Sequence, residues 1–319
     1  MQNPFLILII SAFVSAIVLP LIINFLYRLN LKDVSNVKMK DGILDNSVYV
    51  KLQGGKTGTP KGGGALWVIL FPIISTVIFG FTPLNMVLSA LAVVYGIIGI
   101  VDDSKVIKQG SSSFKKDHML RRMKFILETA IGVVFSHLLI TTLGLSQSLF
   151  NYAFITFLFT SYTNAFNIND GLDGLLTGQA VWIFTGMLIL TILQNQTTAG
   201  IYYAILIGIL IVFLYFNINP ARVFMGDIGS MSLGVLALAL AIVSNNLLAF
   251  IIMTVPSIVT IASSLIQILS IKYLNRKIFK IAPLHHHLQA MGWSETKVVE
   301  RYWLAQIFFV FLAIAVSTL

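Results

Sequence analysis

Among the aspartates of this 319-residue chain that stand where an apolar run ends or beside glycine, five have a type and spacing that could do chemistry. Asp102 and Asp103 are adjacent at the end of one such run. Asp170 and Asp173 lie in the stretch Asn164-Ala-Phe-Asn-Ile-Asn-Asp-Gly-Leu-Asp-Gly174, and Asp227 follows Gly226. Carboxylates gathered from several loops are hard oxygen ligands suited to Mg²⁺. In an adjacent pair, one acid can also ligate while the other takes a proton. Each has a plainer alternative: a solvated helix end for Asp102-Asp103, a helix cap for Asp227.

Around them are groups that could recognise a phosphorylated substrate. Gly54 to Gly64 is glycine-rich and carries Lys56, so its backbone could approach a phosphate or a base closely. It is no Walker loop, because that motif's first glycine would fall at Val50 and no strand precedes it. Asn164, Asn167 and Asn217 supply amides, and Phe224 supplies a ring that could stack on a flat base or merely anchor its loop. His285, His286 and His287 are consecutive, so their side chains point apart and make a poor zinc site. Contact with phosphate or sugar fits them better. His118 and His137 read as structural.

The elements that must position these residues are membrane helices. Hydrophobic residues make up 57% of the chain and charged residues 10%, against about 25% charged in a soluble domain. There is no cysteine, hence no disulfide or thiolate metal site. Ten apolar segments are long enough, or nearly so, to span: about 4–27, 63–80, 84–101, 124–142, 149–163, 175–194, 199–216, 229–243, 247–270 and 302–318. The first lacks a basic lead and a cleavage site, so it reads as a retained helix. All 21 Lys and Arg fall in connections after odd-numbered segments. The positive-inside rule then makes those loops cytoplasmic and both termini extracytoplasmic. The expectation is one all-α integral membrane domain over 1–319, with its site on the cytoplasmic face. Glu128 alone among the acids lies within an apolar segment.

The net charge of +9 fits topology and membrane lipids, or a bowl that gathers a polyanionic substrate. Nucleic acid is excluded, since the charge is scattered over membrane loops. A cation-coupled carrier would bury paired charges at midplane in broken helices, and no inverted repeat is visible.

Three stretches carry a resemblance. Residues 164–175 and 219–230 resemble signatures of the polyprenyl-phosphate N-acetylhexosamine-1-phosphate transferases. Residues 283–295, Pro-Leu-His-His-His-Leu-Gln-Ala-Met-Gly-Trp-Ser-Glu, resemble the triple-histidine block of the branch whose donor is UDP-MurNAc-pentapeptide. The resemblance implies ten helices and a bacterial cytoplasmic-membrane location. It implies transfer of phospho-MurNAc-pentapeptide to undecaprenyl phosphate with release of UMP, and it leaves a homodimer open. The alternative within the family is a UDP-GlcNAc donor. It further implies Mg²⁺ on Asp227, and Asp102 and Asp103 as the catalytic pair with Asp103 deprotonating the lipid phosphate. Asp170 and Asp173 fall in the nucleotide-sugar site, supported by Asn164 and Asn167. Lys56, Asn217 and Phe224 hold the uridine, and His285, His286 and His287 contact sugar and phosphates, with His286 counted as catalytic. Lys116, or Lys115 beside it, is the later phosphate lysine. The chain departs from the family pattern at Lys61, where threonine is usual, and at Lys105. The 38–51 loop matches no family pattern.

Overall fold

The computed structural model describes residues 3–29, 31, 56, 58–108 and 114–319, which form twelve α-helices. They are α1 Pro4–Arg28, α2 Ala65–Phe79, α3 Pro83–Lys108, α4 Phe114–Leu143, α5 Leu149–Asn169, α6 Leu175–Leu193, α7 Thr197–Asn217, α8 Gly226–Val243, α9 Leu247–Met253, α10 Val255–Leu274, α11 Leu284–Ala290 and α12 Glu295–Ser317. Among the described residues the one extended pairing is a parallel bridge between Lys61 and Phe224. The 38–51 loop lies outside the described residues.

Eight of these helices, α1, α3, α4, α6, α7, α8, α10 and α12, are long and apolar enough to cross a membrane. The protein is thus an all-helical integral membrane protein. Every one of the ten apolar segments is helical, although α2 is only 15 residues long and α5 ends in a polar turn bearing Asn164, Asn167 and Asn169. The ninth segment is two helices, broken at Thr254. Pro256, in the first turn of α10, has no N–H to continue α9 and its ring opposes the carbonyl four residues back. The carbonyl of Met253 is taken up by Gln306 Nε2 of α12 at 2.6 Å, and Thr254 Oγ1 meets the Tyr162 hydroxyl at 2.8 Å. The sequence pattern also starts the last helix late: Ser294 caps α12 by accepting from Lys297 N, so Glu295 opens the helix.

The centre of the bundle is α8, buried from Ile228 through Ala241. Its glycines, serines and alanines let neighbours come close, which is how helices associate where lipid removes the hydrophobic drive between them. Trp67 of α2 donates to Ser232 Oγ at 3.0 Å, and Gly234 lies against the backbone of Tyr162 in α5. At the periphery, α1 turns the row Phe5, Ile9, Phe13, Ile17, Leu21 and Phe25 outward.

Candidate active site

The acidic turn of α3 and the first turn of α8 meet because Gly99 permits it. A Cβ there would stand 2.3 Å from the carbonyl carbon of Asp227 and from Ile228 N, so only glycine lets α3 lie on the first turn of α8. Four residues on, Asp103 Oδ2 accepts the backbone N–H of Asp227 at 2.9 Å. A carboxylate at a helix N-terminus satisfies an orphan donor and meets the positive end of the helix dipole.

Two lysines close over these acids. Lys61 Nζ is 2.7 Å from Asp103 Oδ1 and 3.8 Å from Asp227 Oδ1. Lys124 Nζ is 2.5 Å from Asp102 Oδ2 and 3.4 Å from Asp227 Oδ2. Lys61 is delivered by the glycine-rich stretch: Phe224 N donates to Pro60 O at 2.9 Å, and Gly63 and Gly64 donate to Phe224 O and Met225 O. Gly64 in turn sits where a Cβ would strike Gly229. The residue at which the chain departs from the family pattern, Lys61, therefore places a cation on Asp103 and near Asp227.

Beside this cluster opens a cleft of about 180 Å³, lined by Lys56, Lys61, Asn167, Asp170, Asp173, Asn217, Phe224 and Asp227 together with Gly171, Leu172 and Gly226. These come from four separate stretches of chain, so the fold unites most of what the sequence singled out. Asp173 is the node of the cleft's second half. Its Oδ1 holds Lys56 Nζ at 2.7 Å, and its Oδ2 accepts from Asn219 Nδ2 and Ala221 N, both at 3.0 Å. Glu295 Oε1 accepts from Asp173 N at 2.7 Å and also grips Lys56. Phe224 presents its ring 5.9 Å from the Lys56 ammonium. Asn217 lines the cleft but accepts from Thr177 and donates to Val223 O, so its amide braces the loop. Asn167 donates to Ser230 Oγ at 3.1 Å.

The electrostatics follow from packing. Burial by itself would depress Lys61, but Asp103 and Asp227 outweigh it and hold the ammonium above its ordinary range. Lys56 is raised in the same way by Glu295 and Asp173 against the pull of burial. Burial raises Asp170 well above the usual carboxylate range, Lys61 opposing this and Asp227 and Asp103 adding to it.

Other expected residues stand back from the cleft. Asn164 donates to Glu128 Oε2 and to Thr160 O, both at 2.9 Å, so it supports from behind. The three histidines have different partners, although the rings of His285 and His286 meet edge to face with centroids 4.4 Å apart. His285 is fully buried with its Nε2 against Gly171, His286 Nδ1 meets Gln289 Oε1 at 2.8 Å, and His287 Nδ1 accepts from Lys280 N at 3.1 Å. None of them lines the cleft. Burial drives the pKa of His285 well below the usual imidazole value, with His286 and Lys56 contributing. The Lys116, Lys115 and Lys105 side chains lie outside the described residues. In the sequence Lys124 is one of the basic residues that mark topology, and Glu295 is only the end of the 283–295 block. The available clue for Lys124 was its spacing of four from Glu128, the one acid inside an apolar segment.

For a cation, the donors are Asp102, Asp103 and Asp227. Among the described residues no three acidic or histidine side chains close on one point as a complete protein cage. Mg²⁺ does not need one, since one or two carboxylates plus substrate phosphates commonly hold it. The Lys124 ammonium already bridges Asp102 and Asp227, so the spot between those two carboxylates accommodates positive charge.

Helices that cross a membrane around a cleft of carboxylates and lysines define a membrane enzyme acting on a charged group. Comparison with known proteins narrows the class. Residues 85–245, which run from near the start of α3 to just past α8 and include Asp102, Asp103 and Asp227, match glycosyl transferase family 4. Over 266 residues the chain is 33% identical to phospho-N-acetylmuramoyl-pentapeptide-transferases of Staphylococcus aureus strains bovine RF122 / ET3-1 and MSSA476, covering 78% of this chain and 82% of each relative. The chain belongs to glycosyl transferase family 4, and within it to the phospho-N-acetylmuramoyl-pentapeptide-transferases.

Proposed function

We propose that the protein transfers phospho-MurNAc-pentapeptide from UDP-MurNAc-pentapeptide to undecaprenyl phosphate, yielding the lipid-linked sugar diphosphate (lipid I) and UMP. The observation that carries this is the joining of Asp227 and the Asp170–Asp173 loop with Lys56 and Lys61 around one cleft, with Asp103 bonded to Asp227 N beside it, in a chain with those relatives. The charge pattern supports ten spans, extracytoplasmic termini and a site facing the cytoplasm of a bacterial cell, where a soluble nucleotide-sugar is made.

The reaction is an in-line displacement between anions. An oxygen of the lipid phosphate attacks the sugar-linked phosphorus, and the P–O bond to UMP breaks. Lys61, set on Asp103 and close to Asp227, lowers the repulsion between the two phosphates. Asp103, fixed by Asp227 N and Lys61, is placed to take the proton of the lipid phosphate. Lys56 and Phe224 form the wall on which the uridine rests, the ring stacking and the ammonium held by Asp173 and Glu295. Asp170 and Asp173 shape the sugar-phosphate end. Mg²⁺, held by Asp227 and Asp102, would neutralise the diphosphate and polarise its bridging oxygen.

The test is UMP release by purified protein given undecaprenyl phosphate and one UDP-sugar at a time. Release is expected only with UDP-MurNAc-pentapeptide and only with a divalent cation. Release with UDP-GlcNAc alone would move the protein to another branch of the family.

A further inference from the structure

Glu128 is an ionisable group to which the transfer reaction itself assigns no role. It lies on α4 one turn beyond Lys124, and its side chain is 1% exposed. Its Oε2 accepts from Asn164 Nδ2 at 2.9 Å, and Asn164 is itself held to Thr160 O, so the carboxylate is fixed in place. The other oxygen, Oε1, is buried with no hydrogen-bond donor, and the Lys124 ammonium stands 3.9 Å from it. A buried carboxylate oxygen left unsatisfied is costly. Lys124 meanwhile occupies the spot between Asp102 and Asp227 that the proposed function gives to the divalent cation.

One ammonium and one metal ion cannot share that spot. A lysine displaced from it would be a bare charge at the end of a membrane helix unless another anion took it. Glu128 is that anion. Spacing of four residues puts it on the same face of the helix. A shift of about 1 Å brings Nζ from its present distance to that of an ordinary charge-assisted hydrogen bond. We propose that Glu128 is the second resting place of Lys124: it receives the ammonium when a divalent cation takes the position between Asp102 and Asp227. Lys124 then has two anchorages on one fixed helix, and Glu128 acts on cation affinity through it, as a positioning residue. The inference rests on the cation part of the proposed function.

The experiment is titration of the purified full-length protein with Mn²⁺, followed by the loss of the free-ion electron paramagnetic resonance signal. The proteins compared are wild type, Glu128→Gln, Lys124→Gln and the double variant. Glu128→Gln should weaken Mn²⁺ binding about tenfold, because Lys124 then stays on the acids. Lys124→Gln should bind at least as tightly as wild type, and adding Glu128→Gln to it should change binding by less than twofold. Equal weakening in both backgrounds would mean that Glu128 acts only as a through-space charge and would overturn the proposal, as would wild-type affinity in Glu128→Gln. If Glu128→Gln does not fold, Glu128→Asp takes its place. Its carboxylate is withdrawn by one methylene, so it must weaken binding only where Lys124 is present, and unchanged affinity there sinks the idea. Wild-type protein that binds no Mn²⁺ would defeat the cation assignment itself, whereas binding without coupling would defeat the Glu128 proposal alone.

Discussion

The two ends of this bundle close their helices by different means. At the neutral end, each of the four turns puts a residue of positive φ just past a helix: Gly80 after α2, Gly144 after α4, Asn195 after α6 and Asn245 after α8. The amides pair among themselves. Gln194 and Asn246 exchange two hydrogen bonds at 2.9 and 2.7 Å, and Asn85 donates to Gly80 O and Thr76 Oγ1. At the charged end, carboxylates and lysines from remote segments crowd together, and buried atoms such as Glu128 Oε1 and both His285 nitrogens keep no hydrogen bond. The neutral end is closed chiefly by its own residues, although Asn85 Oδ1 there also keeps no hydrogen bond. The other holds charges whose best partners are ligands, and that incompleteness is the physical mark of a site.

If that contrast is right, the charged end should be fragile in function and the neutral end in stability alone. The largest effect is expected at Asp227, where the acid faces both lysines. Asp227→Asn keeps the shape and should lower UMP release by about 10³-fold, the scale of losing a key electrostatic contact, with the thermal unfolding midpoint little changed. Retained activity would show that another carboxylate carries the site. Next comes Gly99→Ala. Its methyl has to push the start of α8 away from α3 and so part Asp103 from Asp227 N. A displacement of about 1 Å typically costs 10²-fold in rate, so turnover should fall by about that factor. An unaffected Gly99→Ala enzyme would mean the acid pair need not touch α8.

How much of this could be seen in the sequence differs between the two ends. Helix ends at the neutral side were legible, because Gly and Asn mark them locally. Asp102, Asp170 and Asp227 were legible as candidates, since a charge interrupting membrane-grade sequence is conspicuous. Partnerships were not. Nothing near Glu295 announces that it grips Lys56 and Asp173, and Lys124 looks like any other basic residue at a membrane exit until the fold sets it between two acids. The break at Thr254 was hidden because an apolar run shows no period change where Pro256 restarts the helix. The histidines were visible as a motif, yet only the fold tells that His285 lies under Gly171, behind the wall of the cleft and not in it.

His285 gives a third way to sharpen the comparison. Burial holds it neutral, so its folded pKa is below the unfolded value of about 6.5. Between those values the unfolded chain binds more protons, and the stability contribution, complete above about pH 6.5, is lost as pH falls toward the folded value. The slope is at most about 1.4 kcal/mol per pH unit for this one group. Thermal unfolding midpoints at pH 8, 6.5 and 5.5 should therefore drop over the last step, and His285→Gln should flatten that drop. An unchanged drop in His285→Gln would assign it to His286, which burial also holds below the usual imidazole value.

The smallest effect belongs to the neutral end. Asn246 is buried and its amide serves Gln194 and Ser244 O at once. Asn246→Ala leaves the Ser244 carbonyl without that donor, while Gln194, which is exposed, turns to solvent. The cost is therefore that of one buried hydrogen bond, about 1 kcal/mol. The variant should unfold slightly earlier and release UMP at the wild-type rate. A rate loss at Asn246→Ala would mean that the two ends are mechanically coupled through α8, whose first turn carries Asp227 and whose last residue lies three positions before Asn246.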